Sequence, residues 1–285
     1  MKPTQSIMSR YKIAQSKNHY ENFTVGSLVL GKDMREAIMT LYAFARLGDD
    51  IADEGNHSKK ERTEQIQYLK NHLKKIEFNQ KINDSYFKIL QILYIKYKFR
   101  INNLYRFINA FNEDINHKQY AQFSDLIRYC DNAANPAGEL ILSLVKQDNK
   151  ENVRQSNAIC TALALINFAQ GVVEDFEKGR IYIPKDEMKT FNLKVEDIQQ
   201  RNFTKYWVKY KKYWVERNCQ ILESGLGLGE KIKGRLGIEI QMVECAALLL
   251  LKRMKRNSCN LFVSPPKIKT LDWIFIFFKV ALRSL

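Results

Sequence analysis

Between Lys32 and Glu54, apolar side chains recur at three- and four-residue intervals, at Met34, Ala37, Ile38, Leu41 and Ala45. The run then ends in Asp49, Asp50, Asp53 and Glu54. The spacing predicts an amphipathic helix with its acids gathered in the last turns. Asp49 and Asp53 are four residues apart, so they lie about 40° from each other on one face, which Tyr42 and Arg46 share. Carboxylates there meet the negative pole of the helix dipole and repel each other by roughly a few tenths of a kcal/mol. A cation or an arginine partner removes both penalties. Hard oxygen donors of this kind suit Mg²⁺, which keeps several waters and is shared between one or two carboxylates and a substrate phosphate. A diphosphate is therefore the first ligand to consider. The plainer alternative is a solvated acidic helix end, and the apolar approach weighs against it.

The same period runs through the rest of the chain. Ser58 to Phe78 reads as a polar helix, Tyr86 to Tyr97 as a more apolar one, and Ile101 to Ile115 continues the pattern. Phe123 to Val145 follows, with Asn135-Pro136 expected to end or kink it. Asn152 to Glu177 is the longest apolar stretch, with Ile159, Leu163, Ile166, Phe168, Val172 and Val173 on its buried face and Glu174-Asp175 near its end. Lys178-Gly179-Arg180 breaks the pattern, and Ile181-Tyr182-Ile183-Pro184 is an extended exit. Helices resume near Val195, at Tyr206 to Leu222, Lys231 to Met254 and Leu271 to Leu282. No set of alternating strands appears, so the fold class is all-α. The 285 residues are read as one domain over 1–285.

Composition narrows the partners. The chain has 46 Lys plus Arg against 31 Asp plus Glu, a net +15 that favours anionic ligands: diphosphates, nucleic acid or an acidic membrane surface. Lys205 to Trp214 interleaves bases with aromatics as single-strand binders do. It also fits a half-buried helix with snorkelling lysines, and no nucleic-acid-binding motif accompanies it, so no nucleic acid is expected. Gly225-Leu226-Gly227-Leu228-Gly229 has no strand before it and no GxxxxGK[ST] pattern; it reads as an interhelical turn. The five cysteines form no CxxC pair, which points to reduced, metal-free thiols. No cleavable apolar leader follows Met1, so a cytoplasmic protein is expected. The apolar run from Leu271 to Leu285 is too short to span a bilayer and carries Asp272, Lys279 and Arg283. It can lie on a membrane or pack against the bundle.

Two acidic clusters, Asp49/Asp53 and Glu174/Asp175, followed by Gly179-Arg180-Ile181-Tyr182-Ile183-Pro184, resemble the squalene and phytoene synthase family over nearly the whole chain. His19-Tyr20-Glu21-Asn22-Phe23 with Val25-Gly26-Ser27, then Tyr42 to Glu54 and Ala134-Asn135-Pro136, are most similar to its bacterial hydroxysqualene synthase branch, of hopanoid pathways. The resemblance implies an isoprenoid-synthase-type helical bundle with a central apolar cavity, in which aspartates hold Mg²⁺ against a substrate diphosphate. It implies Asp49, Asp53, Asn167 and Asp175 as metal-facing residues. It also implies His19, Tyr42, Arg46, Asn167 and Arg180 as substrate-facing ones, and Arg46, Tyr129 and Tyr182 beside the reacting centre. The family carries Asp four residues after the asparagine and Gln three before it; here those positions are Gly171 and Ala164. Glu174, three after Gly171 on the same helical face, is the candidate replacement ligand.

The implied reaction ionises presqualene diphosphate, lets water capture the rearranged cation, and releases hydroxysqualene and diphosphate. The alternatives are head-to-head condensation of farnesyl diphosphate to presqualene diphosphate or squalene, and a catalytically weakened member with a binding role. The partners implied are an isoprenoid diphosphate, a membrane surface and other enzymes of the same pathway.

Overall fold

The computed structural model describes residues 31–117 and 119–283, and all regular structure among them is helical. His19 and the rest of the motif from residue 19 to 27 lie outside the described residues. In chain order the helices are α1 (Lys32–Asp53), α2 (Lys59–Glu77), α3 (Ser85–Tyr97), α4 (Asn102–Ile115), α5 (Phe123–Ala133), α6 (Asn135–Leu144) and α7 (Lys150–Gln170). After them come α8 (Val172–Glu177), α9 (Lys185–Thr190), α10 (Val195–Gln199), α11 (Lys205–Glu223), α12 (Leu228–Lys231), α13 (Arg235–Met254) and α14 (Thr270–Arg283). They group into two compact units: one holds α1–α4 and α6, and the other holds α5, most of α7 and α8–α14.

In the first unit α1 packs on α4, and Phe44, Leu69, Leu73, Phe87, Leu90 and Leu104 are buried completely. Sequence-local chemistry sets its helix starts. Ser58 caps α2 in a reciprocal box with Glu61, and the Asp84 carboxylate accepts from the amides of Tyr86 and Phe87 at the start of α3. The Tyr86 hydroxyl donates to the Thr40 carbonyl at 3.0 Å, fixing α3 against α1. Arg106 of α4 meets Glu139 of α6 at 2.7 Å in a half-buried ion pair. A Cβ at Gly48 would stand 2.0 Å from the Phe111 ring. Glycine at this point is what lets α4 approach α1 directly beneath the acidic end.

The second unit differs from the sequence reading in three places: α9 (Lys185–Thr190) forms a short helix directly after Pro184, before the expected resumption near Val195, and two expected helices are broken. The stretch from Asn152 to Glu177 is interrupted at Gly171, which separates α7 from α8. The expected helix from Lys231 to Met254 is divided at Ile232 to Gly234, where Gly234 adopts φ +77°. The break at Asn135-Pro136 falls as expected, with α5 ending at Ala133 and Pro136 in the first turn of α6, where its missing N–H costs nothing. Behind α11, Trp207, Tyr210, Trp214 and Leu222 are buried, as are Leu250, Leu251 and Met254 of α13.

Candidate active site

The first cluster is built by the last two turns of α1. Tyr42, Arg46, Asp49 and Asp53 follow one another at four-, three- and four-residue steps and are all half-buried, so they form one stripe. The Arg46 guanidinium reaches Asp49 at 2.8 Å, Asp50 at 2.8 Å and Glu54 at 3.0 Å. Burial alone would lower its pKa. The charges of Asp49, Asp50 and Glu54 outweigh that and hold it above the ordinary arginine value. The unfavourable acids at the helix C-terminus are therefore offset from within the helix, by a residue read from sequence as substrate-facing.

The second cluster forms where α7 gives way to α8. The Gly171 amide still donates to Asn167 O at 2.8 Å and the Asp175 amide to Gly171 O at 2.8 Å, so the ladder passes through the break and keeps positions 167, 171 and 175 in line. A Cβ at Gly171 would lie 3.2 Å from Asp175 Oδ2. The missing carboxylate thus leaves space that Asp175 partly borders. Asn167 and Glu174 are exposed, and Asp175 is half-buried. α8 ends in a Schellman motif: Gly179 takes φ +78°, its amide donates to Phe176 O at 2.9 Å, and the Arg180 amide donates to Asp175 O at 2.8 Å. This turn folds Arg180 back beside Asp175. The Gly-Arg dipeptide therefore has a geometric reason: glycine permits the left-handed turn, and arginine is the residue the turn returns.

Past Arg180 the extended exit delivers Tyr182 into a group of rings. Tyr182 stacks on Phe168 of α7 with centroids 4.0 Å apart and planes 8° apart, and lies 5.9 Å from Tyr129 of α5. Tyr120 completes the group, 5.7 Å from Tyr129 and 6.3 Å from Tyr182. The two tyrosines predicted near the reacting centre are brought together; Tyr120 and Phe168 are additions that no spacing or motif distinguished. Phe168, Asp175, Arg180 and Tyr182 line a narrow pocket whose walls continue to Trp207, Trp214 and Phe262. The indole N–H groups are satisfied elsewhere, Trp207 on Asp197 at 3.0 Å and Trp214 on Leu165 O at 3.2 Å. Lys211 also lines it, but its ammonium donates to the carbonyls of Arg256 at 2.8 Å and Cys259 at 2.7 Å. Burial pushes its pKa down. Lys205 to Trp214 is thus a half-buried helix, as expected, except that one lysine is inside.

Among the described residues, no three acidic, histidine or cysteine side chains are grouped so that they could hold a metal ion by themselves. The donors are oxygens in ones and twos: Asp49 and Asp53 one turn apart on α1, and Asn167 and Asp175 two turns apart across Gly171. That donor set fits Mg²⁺, which takes few protein carboxylates and fills its octahedron with water and substrate phosphate. The glycine run from Gly225 to Gly229 has a different use. Its backbone receives the buried Glu244 carboxylate, which accepts from the Gly229 amide at 3.1 Å, so the amides a phosphate would need are engaged by α13.

The model for squalene/phytoene synthase matches residues 16–273 of the chain. The hydroxysqualene synthase of Zymomonas mobilis is 26% identical over 277 residues, 96% of this chain and 92% of its own. That of Rhodopseudomonas palustris is 25% identical over 244 residues, covering 85% and 82%. Among solved structures, squalene synthase HpnC from Alicyclobacillus acidocaldarius has a TM-score of 0.78 at 26% identity, covering 88% of this chain and 95% of that one. A dehydrosqualene synthase solved with a ligand has a TM-score of 0.81 at 19% identity over 99% and 100%, a likeness of fold alone. An all-helical fold, acidic clusters on α1 and α8, and a match across nine-tenths of the sequence converge: this chain belongs to the squalene/phytoene synthase family.

Proposed function

We propose that the protein is a carbon–oxygen lyase of isoprenoid biosynthesis that converts presqualene diphosphate and water to hydroxysqualene and diphosphate. The observation that carries this reading is the aromatic pocket with Asp175 and Arg180 in its wall. Relatives named hydroxysqualene synthase, aligned over most of both chains, support the choice of reaction. Mg²⁺ held by Asn167 with Asp175 would supply Lewis-acid neutralisation of the leaving diphosphate, and Asp49 with Asp53 would hold Mg²⁺ by the same donor chemistry. The chain's own groups do the rest. Arg180, fixed by the turn at Gly179, presents its guanidinium to diphosphate oxygens. The faces of Tyr182, Phe168 and Tyr129 steady the carbocation, each by about 0.5 to 2 kcal/mol. Trp207, Trp214 and Phe262 keep bulk water from the remaining hydrocarbon. His19 is assigned to the diphosphate by resemblance alone. We place the enzyme in the cytoplasm at a membrane surface, the medium in which isoprenoid diphosphates and their products partition.

Purified protein with Mg²⁺ would be given presqualene diphosphate and farnesyl diphosphate separately, in ¹⁸O-water, and the organic extracts analysed by mass. Labelled alcohol from presqualene diphosphate is the expected result. Consumption of farnesyl diphosphate instead assigns the condensation step. Gly171 favours one further reading, a weakened member with a binding role, because the family places a carboxylate there and Glu174 is exposed; no turnover of either substrate would establish it.

A further inference from the structure

Leu271, Phe275, Phe278 and Leu282 of α14 are spaced four, three and four residues apart, so they form one stripe along one helix face. All four stand in solvent, at 67%, 72%, 60% and 72% exposure, and Ile274 and Phe277 widen the stripe at 46% and 42%. The opposite face is used: Ile276 and Val280 are buried where α14 meets α13. Arg253 of α13 grips both oxygens of Asp272 at 2.8 and 2.6 Å, which pins the helix and holds the stripe outward. α14 is thus apolar on two faces, and only one is spent on the core.

Charge decides what covers the other. From residue 252 to 285 there are eight basic residues and one acid, a net +7 that is nearly half of the chain's +15. Lys252, Lys267, Lys269 and Lys279 are exposed around the helix. A second copy docked through this face would set +7 against +7, and nucleic acid would leave the stripe uncovered. An anionic lipid surface satisfies both halves, burying aromatics at the acyl boundary while lysines meet headgroups. The 14 described residues of α14 reach about 21 Å against a hydrocarbon core of about 30 Å, and no described helix is long and apolar enough to span a membrane.

We infer that α14 is an in-plane membrane-docking helix, lying on anionic bilayers through Leu271, Phe275, Phe278 and Leu282. This inference rests on that surface and not on the reaction. It does have a bearing on the pocket. The segment leading into α14 carries Leu261 and Phe262 in the pocket wall, and its Pro266 carbonyl accepts a hydrogen bond from Gln170, next to Gly171. A docked α14 would therefore bring the pocket wall to the bilayer with it.

The test is flotation of the full chain with vesicles of phosphatidylcholine, with and without phosphatidylglycerol, alongside Phe275→Ser/Phe278→Ser. Both side chains are exposed, so the double variant should keep the wild-type circular dichroism and melting temperature. Wild type should float with phosphatidylglycerol vesicles, about tenfold less without that lipid or in high salt, and the variant should lose about tenfold in recovery. Equal recovery of wild type and variant, or no flotation of either, overturns the assignment. So does a wild-type dimer in sedimentation that the variant disperses while neither binds vesicles, which would give the face to a second copy.

Discussion

Arg46 holds Asp49 at 2.8 Å, one turn before Asp53 on the same stripe of α1. Asp49→Asn removes an ion pair as well as a proposed metal ligand, yet Asp50 and Glu54 keep Arg46 in place. Both Asp49→Asn and Asp53→Asn should lower turnover by about a hundredfold or more, the scale of losing one preorganised contact to developing charge, with circular dichroism unchanged. Full activity in either variant would remove the metal-site assignment. Gly171→Asp tests the other cluster. The new Cβ would meet Asp175 Oδ2 at 3.2 Å, so the added carboxylate stands beside an existing one. Turnover should change little and the Mg²⁺ requirement should rise; a many-fold gain in rate with a lower Mg²⁺ requirement would mark the natural protein as a weakened enzyme. At this scale Asp49 and Asp53 stand out because carboxylates at a four-residue step leave a spacing signature, whereas Asp175 and Arg180 drew notice through resemblance alone. Tyr120 and Phe168 do not stand out, since an aromatic in a cavity wall and one in a core look alike until the chain is folded.

At the scale of elements, periodicity located nearly every helix, and caps such as Ser58 and Asp84 carried the boundaries locally. It failed at Gly171 and Gly234, where apolar spacing continues through a break that hinges on one residue's backbone. Close approach was equally hidden. Gly48 reads as an ordinary helical residue, yet it admits Phe111. Gly48→Ala should destabilise the fold by about 1 to 3 kcal/mol through overpacking and loosen the acidic end of α1, which denaturant melts would register as a lower midpoint at unchanged slope. The Arg253–Asp272 clamp gives a second prediction. Hydrogen bonds from Arg253, chiefly, hold the Asp272 carboxyl below the usual aspartate value of 3.8. A depressed folded pKa adds stability above 3.8 that is lost as pH falls through the lower folded value. α14 should therefore stay protected from proteolysis down to about pH 4 and open below it, and Asp272→Asn should open it at neutral pH too.

For the whole molecule, the all-helical class follows from a repeating period, and the partner class from a net +15; both are properties of the chain as a sum and so survive local misreadings. What a sum cannot give is placement. The positive charge concentrates beside α14, and the aromatics divide between core, pocket wall and open surface, distinctions that come only from which side of each helix the fold covers. Arg46 has a last consequence at this level. It is a resident counter-ion: three of the four carboxylates at the acidic end of α1 already share one guanidinium without a metal, although the cluster keeps a net negative charge. Folding should then be uncoupled from metal supply, unlike domains whose binding energy is their folding energy. Purified in chelator, the protein should melt within about 2 °C of an untreated sample, a shift corresponding to less than about 1 kcal/mol. Metal would then serve as a co-substrate that arrives with the diphosphate and leaves with it.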